Sequence, residues 1–237
     1  MPRRCIVCHR HLTLRERFLC LQCLADLPFT HFWQMSHNPM ADKFNGTIQR
    51  SLPADGPLER YAYAAALFFY NSESGYRRIP RHLKYEGGVE SGRYFGRMLG
   101  ERLAESDQFA DVDCIVPVPL HWLRRWRRGY NQAEVIARAI ASAWPAQTAP
   151  EVRTDVLRRR RRTRTQTRLS LEAKALNVRG AFAVRPGSDV RAPRHILLVD
   201  DTFTTGATLN ACREALRGSF PADVRISAAT LAFVKAS

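Results

Sequence analysis

The sequence predicts an α/β protein with a mostly parallel sheet and helices on both faces, preceded by a small N-terminal domain. Three observations support this prediction. The chain has 237 residues and 45% hydrophobic content, enough for one sizeable core. From residue 60 onward, apolar strand-like segments alternate with segments of helical periodicity, as is typical of parallel sheets covered by helices. Closely spaced cysteine pairs, in contrast, are confined to the first 23 residues.

Four of the six cysteines form the two CxxC motifs CIVC and CLQC, at Cys5, Cys8, Cys20 and Cys23. Four thiolates aimed at one point give the tetrahedral shell of structural zinc, with no open position for chemistry. Disulfides are the less expected use in a cytosolic chain. His9 and His11 are near enough to substitute as ligands, whereas Cys114 and Cys212 are interpreted as core thiols.

Residues 27–58 contain four prolines and little periodicity. We therefore expect a linker or a loosely built second lobe of the zinc region there. The predicted domains are a zinc-ribbon region with a proline-rich linker at 1–57 and the α/β domain at 58–237.

The elements of the main domain follow in order along the chain. Short segments that are apolar or rich in β-branched residues predict strands at 61–70, 113–118, 180–184, 195–200 and 223–233. A short basic helix or turn is predicted at 77–85, and further helices are predicted at 90–104, 131–144 and 207–217. Phe95 and Leu99 share one helical face, Asn131 can cap the third helix with Glu134 three residues later, and Gly218 ends the fourth.

The net charge of +15 is concentrated in one window. Residues 121–168 carry thirteen arginines against three acids, which favours binding of polyanions, although a solvated basic surface explains the same charge. The apolar run at 62–70 is too short to cross a bilayer, and no signal-peptide pattern is visible. We therefore expect a cytoplasmic protein with no membrane span.

The segment ILLVDDTFTTGAT at 196–208 places two carboxylates between a buried strand and a helix. Backbone N–H groups at a helix N-terminus suit a phosphate, and the acids suit hydroxyls or a metal. A phosphorylated ribose has both groups. A receiver domain is excluded because only 36 residues follow Asp201, and a Walker site because no GxxxxGK[ST] loop exists. Simple capping explains one carboxylate and not two.

This segment resembles the phosphoribosyl-pyrophosphate (PRPP) signature of type I phosphoribosyltransferases. Further segments resemble the ComF/GntX family and occur in the family's order. They are the cysteine motifs, LKYEGG at 83–88, IVPVPL and RRGYNQA within 115–133, and the tract from Gln166 to NVRGAF at 177–182. One departure is Lys174, where the family pattern leads us to expect arginine.

The resemblance implies a type I phosphoribosyltransferase-like fold and a set of site residues. Asp200 and Asp201 would be the catalytic acids that bind the ribose hydroxyls. Backbone amides would hold the 5′-phosphate of PRPP or a related ribose phosphate at Thr204, Thr205, Gly206, Ala207 and Thr208. Pyrophosphate, with Mg²⁺, is expected at Arg128 and Gly129. The arginine tract at 157–169 would include a mobile loop with Arg162, Arg164 and Gln166, although a solvent-exposed loop that binds polyanions nonspecifically explains the tract equally well.

The resemblance leaves two functional hypotheses open. One is a PRPP-dependent phosphoribosyltransferase with an unknown acceptor. The other is a non-catalytic nucleic-acid-binding or regulatory protein that senses a nucleotide or PRPP. The family is associated with DNA uptake in competence and with use of DNA-derived nucleotides, so single-stranded DNA and competence-machinery proteins are expected partners. Trp122 and Trp126 could stack on bases, but their spacing is more typical of packing.

Overall fold

The structure is a computed structural model that describes residues 3–52, 59–85, 88–160, 180–186 and 193–235. Five parallel strands form the central sheet: β1 (Ala64–Tyr70), β2 (Cys114–Pro117), β3 (Glu151–Val152), β6 (His195–Phe203) and β7 (Arg225–Val234). Their order is β1–β7–β6–β2–β3. Two short strands, β4 (Leu157–Arg159) and β5 (Phe182–Val184), form a separate antiparallel pair. The predicted α/β class with a parallel sheet is confirmed.

Seven helices are found in the described residues. They are α1 (Leu21–Ala25), α2 (Pro39–Ser51), α3 (Arg78–Tyr85), α4 (Val89–Ala104), α5 (Trp122–Arg128), α6 (Gln132–Ala141) and α7 (Ala207–Arg217). In β7, all eight residues from Ile226 to Phe233 are buried. A strand buried at consecutive positions is covered on both faces, so the helices flank the sheet on both sides.

The helices α4 and α6 approach each other closely because glycines line their contact. A Cβ atom added at Gly96 would lie 2.9 Å from the Cβ of Ala139, and one at Gly100 would lie 2.6 Å from the carbonyl oxygen of Ile140. Phe95, Leu99 and Leu103 on α4 are fully buried, as the helical periodicity predicts. This packing supports the sheet beneath the ends of β2 and β6.

The chain between 27 and 58 differs from the expectation of little regular structure. Asn38 caps α2, its side chain accepting hydrogen bonds from the N–H groups of Met40 (3.1 Å) and Ala41 (2.9 Å). Pro39 occupies the first helical turn, where its missing N–H costs nothing. The buried face of α2 packs against β1 and α7. The pair Asn38–Pro39 is a typical helix start, but the four prolines of residues 27–58 favoured a linker instead.

Residues 28–30 also cover the outer edge of the sheet. The N–H of Phe69 donates to the carbonyl of Pro28 at 2.9 Å, and Phe29 forms an antiparallel bridge with Phe68. An open strand edge is a site for unwanted pairing. The N-terminal region therefore protects β1 and is joined to the main sheet by backbone hydrogen bonds.

Two strands depart from their predicted form. The strand predicted at 180–184 pairs with β4 outside the central sheet, through Arg159↔Phe182 and Leu157↔Val184. This pairing joins distant segments and has no local sequence signal. β6 continues three residues beyond Asp200, because Phe203 packs its ring on Phe233 at a centroid distance of 5.7 Å.

Candidate functional site

The four cysteines of the CxxC motifs meet beside α1. Their Sγ atoms all lie within 4.8 Å of one another, and those of Cys8 and Cys20 are 3.7 Å apart. Tetrahedral coordination with Zn–S bonds of about 2.3 Å places sulfurs about 3.8 Å apart, so the cluster fits a metal ion such as zinc. Within the described ranges it is the one His/Cys/Asp/Glu cluster with such spacing, and the exposed His9 and His11 lie outside it.

The local environment of the cluster favours thiolate at one ligand. Burial disfavours the charged form of Cys20, but hydrogen bonds led by the N–H of Cys23 (3.4 Å) lower its pKa to about 6. A thiolate is the form that binds a metal. The core thiols Cys114 and Cys212, in contrast, are buried as predicted, and burial raises the pKa of Cys114 to about 12.

The two predicted acids lie at the carboxyl end of β6, in the middle of the sheet. Asp201 is 4% exposed. One carboxylate oxygen of Asp201 contacts the Lys84 Nζ at 3.0 Å and accepts a hydrogen bond from the Gln132 Nε2 at 3.2 Å. Asp200 is half-buried, and its carboxylate accepts the N–H of Asp201 at 2.8 Å. Carboxyl ends of parallel strands are the usual ligand-binding edge of such sheets.

The charged groups at this edge shift one another's pKa values. Burial and the neighbouring Asp201 charge raise the pKa of Asp200 above its usual range. Burial by itself lowers the pKa of Lys84, but the Asp201 and Asp200 carboxylates more than offset this and raise it. When Asp200 is ionised, two adjacent carboxylates face one lysine, and a bound cation or a set of hydroxyl donors would favour that ionised form.

The loop after the acids is shaped by Gly206. Its φ is +78°, and a Cβ atom there would lie 2.8 Å from the ring of Phe203, so glycine is required on two grounds. Ala207 then begins α7, and its N–H donates to the Thr205 hydroxyl at 3.3 Å. Thr204 is exposed, whereas Thr205, Ala207 and Thr208 are half-buried. The N-terminus of an eleven-residue helix, whose first N–H groups have no partner within the helix, therefore follows the two acids by a few residues.

The predicted pyrophosphate residues Arg128 and Gly129 lie at the end of a short helix that the sequence reading did not identify. Gly129 caps α5 with φ +81°. The guanidinium of Arg128 donates to the Gln132 side chain, and Gln132 in turn donates to Asp201. The structure therefore brings Arg128 into the same polar network as the acids, through one intervening side chain.

Two residues of this network were not predicted as site residues. Lys84 and Gln132 lie in the segments LKYEGG and RRGYNQA, which carried the family resemblance, but neither of these two residues had an assigned role. The Tyr130 hydroxyl donates to the carbonyl of Leu83 at 2.6 Å and so joins the two segments beside Asp201. Since no charge pattern links Lys84 to Asp201 along the chain, only the tertiary contact identifies it.

The N-terminal region also reaches the site. The Nζ of Lys43, on α2, donates to the carbonyl oxygen of Thr204 at 2.8 Å. Because this contact fixes one peptide of the loop, α2 helps to set the direction of the following N–H groups. The proline-rich region thus contributes to the loop, a role that the sequence reading did not predict.

The expectation that Trp122 and Trp126 pack is wrong. They are 68% and 80% exposed, one turn apart on α5. Arg125 and Arg127 are exposed with them, while Arg128 is half-buried on the side of the network. The exposed surface of helix α5 therefore carries both tryptophan and arginine side chains.

The predicted loop residues Arg162, Arg164 and Gln166, together with Lys174, lie outside the described residues. The start of the arginine tract is described, and it forms β4. The proposed domain boundary at 57/58 also lies outside the described ranges. Across those ranges, no helix has the length and apolar character needed to cross a membrane.

Comparison with curated proteins finds relatives along most of the chain. Competence protein F of Haemophilus influenzae is 37% identical over 105 residues, covering 44% of each chain. DNA utilization protein YhgH of Salmonella typhi is 34% identical over 156 residues, covering 62% of this chain and 63% of that protein. YhgH of Escherichia coli K12 is 29% identical over 225 residues, covering 94% and 87%. The alignment spans less than two thirds of the first two relatives' length. No family model matches the chain.

Proposed function

We propose that this chain, which resembles the ComF family and has relatives named for competence and DNA utilization, serves DNA uptake or the use of DNA-derived nucleotides by binding PRPP or a related ribose phosphate. The observation that carries the proposal is the adjacency of two groups at one strand end. The Asp200–Asp201 pair adjoins a helix N-terminus that is opened by Gly206.

The proposed roles divide the ligand between these groups. Asp200 and Asp201 bind the ribose hydroxyls, and the amides from Thr204 to Thr208 hold the 5′-phosphate. Pyrophosphate lies toward Arg128 and Gly129. The acids supply the hard oxygen ligands that Mg²⁺ prefers, and Mg²⁺ bound with PRPP would favour the ionised form of Asp200 beside Asp201. Mg²⁺ supplies charge neutralisation for the phosphates when bound.

The protein is an enzyme if an acceptor also binds. A bond then forms between the acceptor and the anomeric carbon, while the bond from that carbon to pyrophosphate breaks and pyrophosphate leaves with the electron pair. The chain's contribution is orientation and electrostatic stabilisation of charge on the ribose ring. Without an acceptor, the same site makes the protein a sensor of PRPP or a nucleotide.

The test is calorimetric titration with PRPP, with and without Mg²⁺, of the wild type and of an Asp200→Asn/Asp201→Asn variant. The matched control removes two exposed acids elsewhere, Glu73→Gln/Asp107→Asn. We expect binding by the wild type and the control, and loss of binding in the site variant. Absence of wild-type binding would refute the proposal. Bound PRPP that is not consumed with any nucleobase or amine favours the sensor.

A second candidate function is contact with single-stranded DNA, and the exposed face of α5 favours it. Bases stack on exposed tryptophans, and arginines follow the phosphates. Trp122 and Trp126 are separated by four residues, a rise of about 6 Å along the helix, which suits neighbouring nucleotides of an extended strand. We expect Trp122→Ala/Trp126→Ala to weaken binding of an oligo-dT strand in fluorescence anisotropy. Unchanged affinity would exclude this face as the DNA contact. Neutralising Arg158 to Arg162 and measuring the same affinity tests the arginine tract.

The cysteine cluster has a structural role in this proposal. One zinc ion held by Cys5, Cys8, Cys20 and Cys23 would join the two CxxC turns and leave no position for substrate. Metal analysis of the purified protein should find about one zinc per chain, lost in a Cys8→Ser/Cys23→Ser variant. A metal-free, folded wild type would contradict this assignment. Contact with competence-machinery proteins remains part of the proposal and is tested by co-purification.

A further inference from the structure

A cavity opens at the carboxyl end of β2, the strand that pairs with β6. Its volume is about 180 Å³, and it lies between α5, the start of α6 and the β4–β5 pair. Cavities that enclose a whole drug-sized ligand are larger, about 300 to 1,000 Å³. This cavity therefore has room for one ring or one small ionic group.

The cavity has an apolar floor and a cationic mouth. Pro117 and Leu157 are buried beneath it. The exposed residues Arg125, Arg158 and Arg185 surround the opening. Glu134 is the one acid among the described lining residues, and its carboxylate pairs with Arg138 at 3.0 Å and with Arg125 at 3.9 Å. The lining residues still carry an excess of positive charge, because this one acid faces several arginines.

One wall of the cavity is aromatic. Trp122 lines it, whereas Trp126, one turn further along α5, does not. An exposed indole beside an apolar floor offers a flat surface for a ring. The cavity thus combines a stacking surface with guanidinium donors, which bind planar anionic groups through two parallel hydrogen bonds.

The cavity adjoins the carboxylate pair. Pro117 pairs with Val199, the residue before Asp200, in the β2–β6 register. Arg159 lines the cavity and is also close to Asp200. Burial and the Asp201 charge raise the pKa of the Asp200 carboxyl, and the Arg159 guanidinium opposes this rise. A group in the cavity and a sugar held by Asp200 would therefore be neighbours.

We infer that this cavity is the acceptor subsite and that it takes a small planar aromatic ring with a carboxylate. The inference rests on the proposed function for its acceptor role, because the ring has a reaction partner only when PRPP is bound at the acids. The ring lies against Trp122 and the apolar floor, and its carboxylate faces Arg158 and Arg185.

The test uses nicotinate and nicotinamide, which share a ring and differ in the charged group. Both are titrated into the protein with PRPP and Mg²⁺ present. We expect nicotinate to bind at one per chain, at least roughly tenfold tighter than nicotinamide, because a charge-assisted contact is lost in the amide. Equal affinities, or no binding of nicotinate, would overturn the inference.

Matched variants separate this cavity from the rest of the basic surface. Arg158→Gln/Arg185→Gln should weaken nicotinate binding roughly tenfold, and Trp122→Ala roughly two- to tenfold. Arg127→Gln and Trp126→Ala change similar exposed residues outside the cavity and should leave the affinity unchanged. All of these side chains are exposed, so folding should be preserved. Equal losses from the two tryptophan variants would contradict the subsite.

Two further outcomes distinguish the possible errors. Inorganic phosphate that binds in the cavity as tightly as nicotinate would refute the ring. Competition between nicotinate and PRPP would place the ring at the acids and refute a separate subsite. If PRPP binds and nicotinate does not, the inference fails and the proposed function stands. If PRPP does not bind, the proposed function fails, and the acceptor role fails with it.

Discussion

The two ends of strand β6 both carry buried polar groups, but they differ in how those groups are satisfied. At the amino end, His195 is 0% exposed. Its Nδ1 lies 2.6 Å from an Asp111 carboxylate oxygen and its Nε2 lies 2.7 Å from the Ser227 hydroxyl. At the carboxyl end, Asp200 and Asp201 share a single lysine. One end is satisfied by the protein, and the other carries charge that a ligand would complete.

The difference shows why residue type alone does not identify a site. Asp111, His195 and Ser227 contain the residue types of a hydrolytic triad, yet Ser227 is fully buried and accepts the N–H of Tyr63 at 3.1 Å. A nucleophile without access to substrate cannot react. The amino-end network therefore joins β6, β7 and the residue before β1, whereas the half-buried Asp200 and the buried Asp201 lie at the ligand-binding edge.

The largest loss of folding stability is expected when the ion pair at the carboxyl end of β6 is broken. Lys84→Met leaves Asp201, with a 6% exposed side chain, beside Asp200 without its cation. Removing one partner of a buried pair costs about 3–5 kcal/mol, and since the lysine side chain is 32% exposed we expect a loss of about 2 kcal/mol. Urea unfolding at pH 7 without ligand measures it.

Two further variants control the Lys84 experiment. Lys235→Met changes an exposed lysine far along the chain and should have little effect. Adding Asp201→Asn to Lys84→Met should recover most of the loss, because the uncompensated charge is then gone. If Lys84→Met is no more destabilising than Lys235→Met, the ion pair contributes nothing to the folded state.

A smaller effect is expected at the amino end. Ser227→Ala removes the partner of the His195 Nε2 and an acceptor for the Tyr63 N–H. A buried group left without a hydrogen bond costs about 1–3 kcal/mol, and since both groups here are neutral we expect the lower end, about 1 kcal/mol. Chemical denaturation should show that loss, while PRPP affinity should be unchanged. A loss of PRPP affinity with full stability would reverse the distinction between the two ends.

The two ends of β6 should also differ in the pH dependence of their stability. Burial and the Asp201 charge raise the pKa of Asp200 to about 7, so between about pH 4 and 7 the folded state holds a proton that the unfolded chain releases. Stability from this group therefore falls as pH rises. Burial lowers the pKa of His195. Below about pH 6.5 the unfolded chain takes up a proton that the folded state does not, so stability from this group falls as pH drops.

Difference curves against the wild type separate these two contributions. Asp200→Asn should gain relative stability as pH rises from 4 to 7, and His195→Gln should gain it as pH falls below about 6.5. A difference of one bound proton limits each slope to about 1.4 kcal/mol per pH unit. Unfolding is followed at constant ionic strength without Mg²⁺. Slopes of the same sign for both variants would show that the ends are not electrostatically distinct.

How far the site could be predicted depends on whether its signals are local. Asp200, Asp201 and Gly206 lie within one short strand–loop–helix segment. Their residue types alone indicate two acids at a strand end and a glycine in the turn before a helix. Lys84 and Gln132 reach Asp201 from other elements, so no pattern along the chain indicates them. Helix α2 had a local signal at Asn38, but the surrounding prolines favoured a linker. The pairing of β4 with β5 joins distant segments, which no periodicity predicts.

The most direct measurement of the central claim compares the two ends of β6 in one thermal assay. A ligand that binds only the folded state raises its melting temperature. We predict that PRPP with Mg²⁺ raises the Tm of the wild type and of Ser227→Ala by similar amounts, although the variant starts lower, and leaves Asp200→Asn/Asp201→Asn unchanged. A shift that persists in the Asp200/Asp201 variant, or no shift in the wild type, would contradict a ribose-phosphate site at the carboxyl end of β6.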